Sequence, residues 1–175
     1  VETPCIVIDM DKVEHNLKRM DEICKTTGCH LRPHVKTHKI PELAKLQMQY
    51  GANGITVAKL SEAEIMASYG INDIFMAYPL IGESRIQRAI TLSKNIRFIC
   101  STDCYESAVE ISRQCSKEGA TLELRLEVDT GMHRTGIPYE NAVEEAEKIA
   151  GLPGISLEGI FTFRGMIYNG KTDLD

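Results

Sequence analysis

Short apolar runs alternate with longer amphipathic ones along nearly the whole chain. Residues 4–10 (P-C-I-V-I-D-M) are brief, apolar and β-branched, a pattern that predicts a strand. From about Asp11 the period changes. Val13, Leu17, Met20 and Cys24 recur at helical spacing as one apolar stripe, and Gly28 ends the helix. Residues 31–36 return to a strand pattern, and Pro41 opens a helix with Leu43, Leu46 and Tyr50 inward and Gly51 as its stop. Residues 54–58, 73–78, 96–100, 121–128 and 155–163 read as further strands. Between them, 61–69, 83–94, 103–117 and 138–150 read as helices. Ser61 with Glu64, and Asp103 with Glu106, match the capping-box spacing at two of the helix starts.

Strand followed by helix at this spacing is the signature of consecutive βα units and a parallel sheet. Six strands follow the first strand–helix pair, whereas a closed (β/α)8 barrel needs eight in about 250 residues. The expected fold is therefore an α/β TIM-type barrel, incomplete at about six of eight βα units, forming one partial barrel domain over residues 1–175. The strand at 121–128 is unusual for a parallel sheet. Leu122, Leu124, Leu126 and Val128 alternate with Glu123, Arg125 and Glu127, and the run ends in Asp129. Either these charges pair inside a barrel or they line a polar site.

Composition narrows the functional classes. Hydrophobic residues make up 43% of the 175 and charged ones 26%, enough for a core and ordinary for a globular chain. The net charge of -5, with no long basic block and few aromatics, argues against nucleic acid as a partner. No apolar run approaches the length of a membrane span. Six cysteines show no CxxC or paired zinc spacing; Cys5 and Cys100 fall inside apolar strand-like runs. Reduced thiols and a cytoplasmic location are the expectation.

The densest chemistry lies in L-R-P-H-V-K-T-H-K, residues 31–39, with three cations and two imidazoles. Alternation would put His34, Lys36 and His38 on one strand face and Val35 on the other. A lysine ending a buried strand is costly unless paired, neutralised or covalently used, which makes Lys36 a candidate amine nucleophile for a Schiff base. The same run also reads as a basic surface turn before a helix.

Four runs together carry a family resemblance: T-P-C-I-V-I-D-M-D-K-V-E-H-N-L, L-R-P-H-V-K-T-H-K, G-I-T-V-A-K-L-S-E-A-E and E-V-D-T-G-M-H-R-T-G. The chain resembles the N-terminal barrel of the D-threonine aldolase and D-serine dehydratase group, relatives of alanine racemase. The resemblance implies pyridoxal 5'-phosphate (PLP) held as a Schiff base on Lys36, at the C-terminal rim where such barrels place their chemistry. It implies that Arg134 meets the phenolate oxygen of PLP, a role suited to a guanidinium that keeps its proton. An arginine pairing with a surface acid is the alternative. His34, Thr56 and Tyr168 would lie near strand ends facing the cofactor. The first strand would pair with a C-terminal β-domain that the chain lacks, leaving its edge open. The family's Y-E-G-H run is replaced by F-R-G-M, with Arg164 and Met166 in place of its acid and histidine. The family's divalent metal would find no ligands here.

The implied activity is a PLP-dependent lyase on D-3-hydroxy-amino acids, with PLP as electron sink for a carbanion at the α-carbon. An aldolase would yield glycine and an aldehyde; a dehydratase, a keto acid and ammonia. A racemase is a further enzyme reading. Outside catalysis stand a non-catalytic PLP carrier, and a βα protein whose basic strand binds an anion without PLP. The expected partner is a small D-amino acid, and a homodimer is left open.

Overall fold

The computed structural model describes residues 2–165. Six helices and six strands are present among them: α1 (Met10–Thr27), α2 (Pro41–Gln49), β1 (Ile55–Val57), α3 (Leu60–Ser68), β2 (Asp73–Pro79), α4 (Glu83–Ser93), β3 (Arg97–Thr102), α5 (Tyr105–Glu118), β4 (Leu122–Asp129), the two-residue β5 (Ile137–Pro138), α6 (Ala142–Ala150) and β6 (Ile155–Phe161). All strand pairs are parallel, in the order β1-β2-β3-β4, with β6 on the far side of β4 and β5 pairing its last two residues. This is the staircase of consecutive βα units that the apolar periodicity predicts, laid out as part of a barrel wall.

Side-chain alternation divides the sheet into two faces. Leu122 and Leu124 join Ile55, Val57, Ile74, Phe98 and Cys100 in the main core beneath the helices. Leu126 joins Ala108, Ile137 and Ile149 in a second cluster under α5 and α6. The other face of β4 carries Glu123, Arg125 and Glu127, and the structure assigns them separate tasks. Near the starts of the strands, Arg32 pairs with Asp73 at 2.6 Å, and Arg97 reaches Asp73, Glu123 and Glu158 at 3.3, 2.8 and 3.6 Å. Above this ionic rim, Arg125 stacks 4.7 Å over Phe75, whose ring meets Phe161 edge-on at 5.0 Å. Burial, then the charges of Arg32 and Arg97, lower the proton affinity of Arg125. Glu123 thus belongs to a partly exposed ion-pair rim, Arg125 to an aromatic layer, and Glu127 to the opposite rim.

Several elements differ from the sequence expectation. Residues 4–9 form no strand: Ile6 and Val7 are 92% and 83% exposed, and Cys5 is exposed instead of packed. A strand is held by its ladder, and no described strand pairs with this segment. The stripe on α1 is likewise not buried; none of its residues is, although Gly28 caps it in the left-handed conformation. On α2 only Ala44 is buried, not Leu43, Leu46 or Tyr50. Neither capping box forms. Glu64 pairs with Arg88, and Glu62 accepts the Ala58 N–H at 2.9 Å; at α5 the N-cap is Cys104, without a side-chain bond. No described helix is long and apolar enough to cross a membrane.

Candidate functional site

The site lies where the strands end. Residues 31–36 do not extend as a strand to Lys36. The segment contributes one parallel bridge, His34 with Thr56, and then closes into a 3-10 turn over Val35–Thr37. Val35 is fully buried and anchors the turn, whose carbonyl accepts the Lys39 N–H at 2.8 Å. His34 caps it, its Nδ1 accepting the Lys36 N–H at 3.3 Å. That bond places the ring proton on Nε2. Burial, then the charge of Lys36, lower the His34 pKa below its usual range, against the pull of Glu62. Thr56 is buried; its N–H donates to Pro33 at 2.7 Å and its hydroxyl to the Arg32 carbonyl at 3.3 Å. His34 and Thr56 therefore build the edge from which Lys36 projects, exposed, over the barrel mouth.

Arg134 is carried by the loop between β4 and β5. Asp129 organises it: Oδ1 accepts the N–H groups of Gly131 and His133 at 2.9 and 3.0 Å, and Oδ2 meets His133 Nδ1 at 2.7 Å. Those backbone donors hold the Asp129 carboxyl down to about 2, so it is ionised at neutral pH. Positive φ at Gly131, His133 and Gly136 turns the chain back onto β4. Thr135 then donates to Glu127 Oε1 at 2.8 Å, while Glu127 Oε2 is buried without a hydrogen-bond partner among the described residues. Desolvation raises the Glu127 pKa, and the Thr135 bond and Arg134 oppose the rise. Thr130 and Thr162 hydroxyls, 2.7 Å apart, fasten the loop to the chain leaving β6.

Phe163 joins the two sides. Lys36 Nζ stands 5.7 Å from its ring centroid and Arg134 Cζ 4.7 Å from the same centroid. Residues 98 positions apart in sequence thus meet over one ring, and the alternative reading of Arg134, a pairing with a surface acid, has no counterpart among the described ion pairs. Tyr168 and Met166 lie outside the described residues. Sequence reasoning missed Phe163, Asp129 as organiser of its loop, and Glu62, which is buried and takes Lys39 at 3.4 Å. The aromatic opening of F-R-G-M was the available signal for the first. An exposed amine and an exposed guanidinium over one ring fit PLP, whose aldehyde takes an amine and whose phenolate accepts a charge-assisted hydrogen bond. No set of three His, Cys, Asp or Glu able to hold a metal occurs among the described residues.

Known proteins share this fold. The chain is 30% identical to D-threonine aldolase of Arthrobacter sp over 98% of its own length and 46% of the relative's. It is 32% identical to D-threo-3-hydroxyaspartate dehydratase of Delftia sp. (strain HT23), over 98% of the chain and 46% of that enzyme. The crystal structure of D-threonine aldolase from Filomicrobium marinum superposes with a TM-score of 0.87 at 31% identity, covering 91% of the chain and 43% of that structure. The chain thus spans less than half the length of the curated relatives it matches. Residues 8–171 match the family model described as alanine racemase, N-terminal domain, and the chain, with its staircase of parallel βα units, belongs to that family.

Proposed function

We propose that this chain is the PLP-binding part of a lyase acting on D-3-hydroxy-amino acids, with Lys36 as the residue that bonds the cofactor. The observation that carries the reading is the convergence of Lys36 and Arg134 on Phe163, at the strand-end rim. PLP, when bound, supplies an electron sink for charge developing at the substrate α-carbon. The rest falls to the chain. Lys36 offers its Nζ from a turn pinned by buried Val35. Arg134 offers a permanent positive charge to an oxyanion. Neutral His34, capping the turn through Nδ1, holds the backbone of Lys36 in place. Thr56 holds that edge against β1.

Cleavage to glycine and an aldehyde is the first reading, from the likeness to D-threonine aldolase. Loss of the β-hydroxyl, giving a keto acid and ammonia, is the second, from equal likeness to the dehydratase. A divalent metal has no described ligand set here, so no step is assigned to one. Adding PLP to the purified chain, reducing with borohydride and mapping by mass should give a pyridoxyl adduct on Lys36, absent in Lys36→Ala. An adduct spread over other lysines, or unchanged in Lys36→Ala, would refute the assignment.

A further inference from the structure

Phe163 has no part in the core. It follows β6, is 43% exposed, and yet two cationic side chains from distant elements lie over its ring. The chain around it is fixed from the β4 side: Thr162 bonds Thr130, and an added Cβ at Gly165 would stand 2.7 Å from Met132 Sδ. Lys36 comes from the opposite flank of the sheet, in the turn next to the His34–Thr56 bridge.

An exposed lysine samples many rotamers along its four-carbon stem, and ordering it costs side-chain entropy. Two cations also repel each other. The negative faces of an aromatic ring attract both, and so offset part of each cost. We propose that Phe163 is a positioning residue, whose ring holds the Lys36 amine and the Arg134 guanidinium within reach of one planar ligand. The proposal rests on the reading of Lys36 as the PLP-bonding residue. It assigns to an apolar side chain the alignment of two charged ones, and a leucine of similar bulk could not replace it because leucine has no ring face.

The test compares the unchanged chain with Phe163→Leu and Phe163→Tyr. PLP affinity is read by absorbance titration, with borohydride trapping to confirm the site. Phe163→Leu should weaken binding about tenfold, and Phe163→Tyr, which keeps the ring, by no more than about twofold. Equal affinity of Phe163→Leu and the unchanged chain overturns the proposal while leaving Lys36 as the PLP site. No adduct on Lys36 in the unchanged chain refutes the cofactor reading, and the positioning role with it. A second readout needs no cofactor. With lysines reductively 13C-methylated, the Lys36 signal, identified by its loss in Lys36→Arg, should be displaced by the ring current. Phe163→Leu should return it to the position of the other lysines. A signal that Phe163→Leu does not move overturns the proposal.

Discussion

Gly136→Ala should be far more damaging than Gly131→Ala, although the two glycines flank the same loop. Both have left-handed φ, +100° and +112°, so alanine at either meets a backbone penalty of about 1–3 kcal/mol. The surroundings differ. At Gly131 an added Cβ meets nothing within 4 Å. At Gly136 it would lie 2.7 Å from Asp129 N, 2.9 Å from the Val128 carbonyl carbon and 3.3 Å from Asp129 Cα, all of them backbone. Those atoms end β4, where β5 pairs Ile137 with Val128 and Pro138 with Asp129. The only relief is to push β5 off β4, at about 1 kcal/mol per ladder bond, and to loosen buried Ile137. Gly136→Ala should therefore cost roughly 1–2 kcal/mol more than Gly131→Ala. Urea unfolding decides it. With m of about 1–3 kcal/mol/M, the midpoints of the two variants should differ by roughly 0.3–2 M. Equal midpoints would refute the backbone-contact argument and leave φ alone as the cost.

Two further outcomes follow from burial. Desolvation raises the Glu127 pKa in the folded chain, so ionising it with rising pH takes stability away, and that stability is fully present only below the unfolded value near 4.5. Glu127→Gln should accordingly be more stable than the unchanged chain at pH 7, by about 1 kcal/mol. The difference should shrink as the pH falls towards 4.5, and a constant one across thermal melts from pH 4 to 7 would contradict the assignment. Among the cysteines, exposed Cys5 and Cys29 should react with maleimide in the native state, whereas Cys100 and Cys115, both fully buried, should label only on unfolding. Burial also pushes the Cys100 thiol upwards, away from the reactive thiolate. Native-state labelling of Cys100 at the rate of Cys5, read by mass mapping, would show the core to be open.

The strands that the sequence predicts well are those whose two faces are both settled locally. Residues 73–79, 97–102 and 122–129 carry apolar runs or alternating leucines bounded by turns, and their helices carry clear stripes. The failures occur where a partner decides. The segment at 4–9 is as apolar as any strand, but pairing depends on another chain segment, which local pattern does not encode. At 31–36 the alternation rightly buried Val35, yet a single bridge at His34 leaves Lys36 free to turn. Both capping boxes failed because the N-caps fall elsewhere, at Lys59 and Cys104; Glu62, two residues before Glu64, accepts the Ala58 N–H while Glu64 faces Arg88. In the site, the resemblance put Lys36 and Arg134 on one rim. The ring between them was not legible, because no spacing rule connects position 36 with position 163.

The order of the sheet also bears on how the molecule is made. Ile74 lies against Ile55, Phe98 against Ile74, Glu123 against Ile99 and Leu157 against Leu124. Every strand after β1 pairs with one synthesised earlier, so a chain emerging N-terminal end first can extend its sheet during translation. The chemistry keeps a different schedule. Lys36 leaves the ribosome well over a hundred residues before Phe163. On the proposed positioning role, the amine stays without its aligning ring until Phe163 has emerged, after the sheet is laid down.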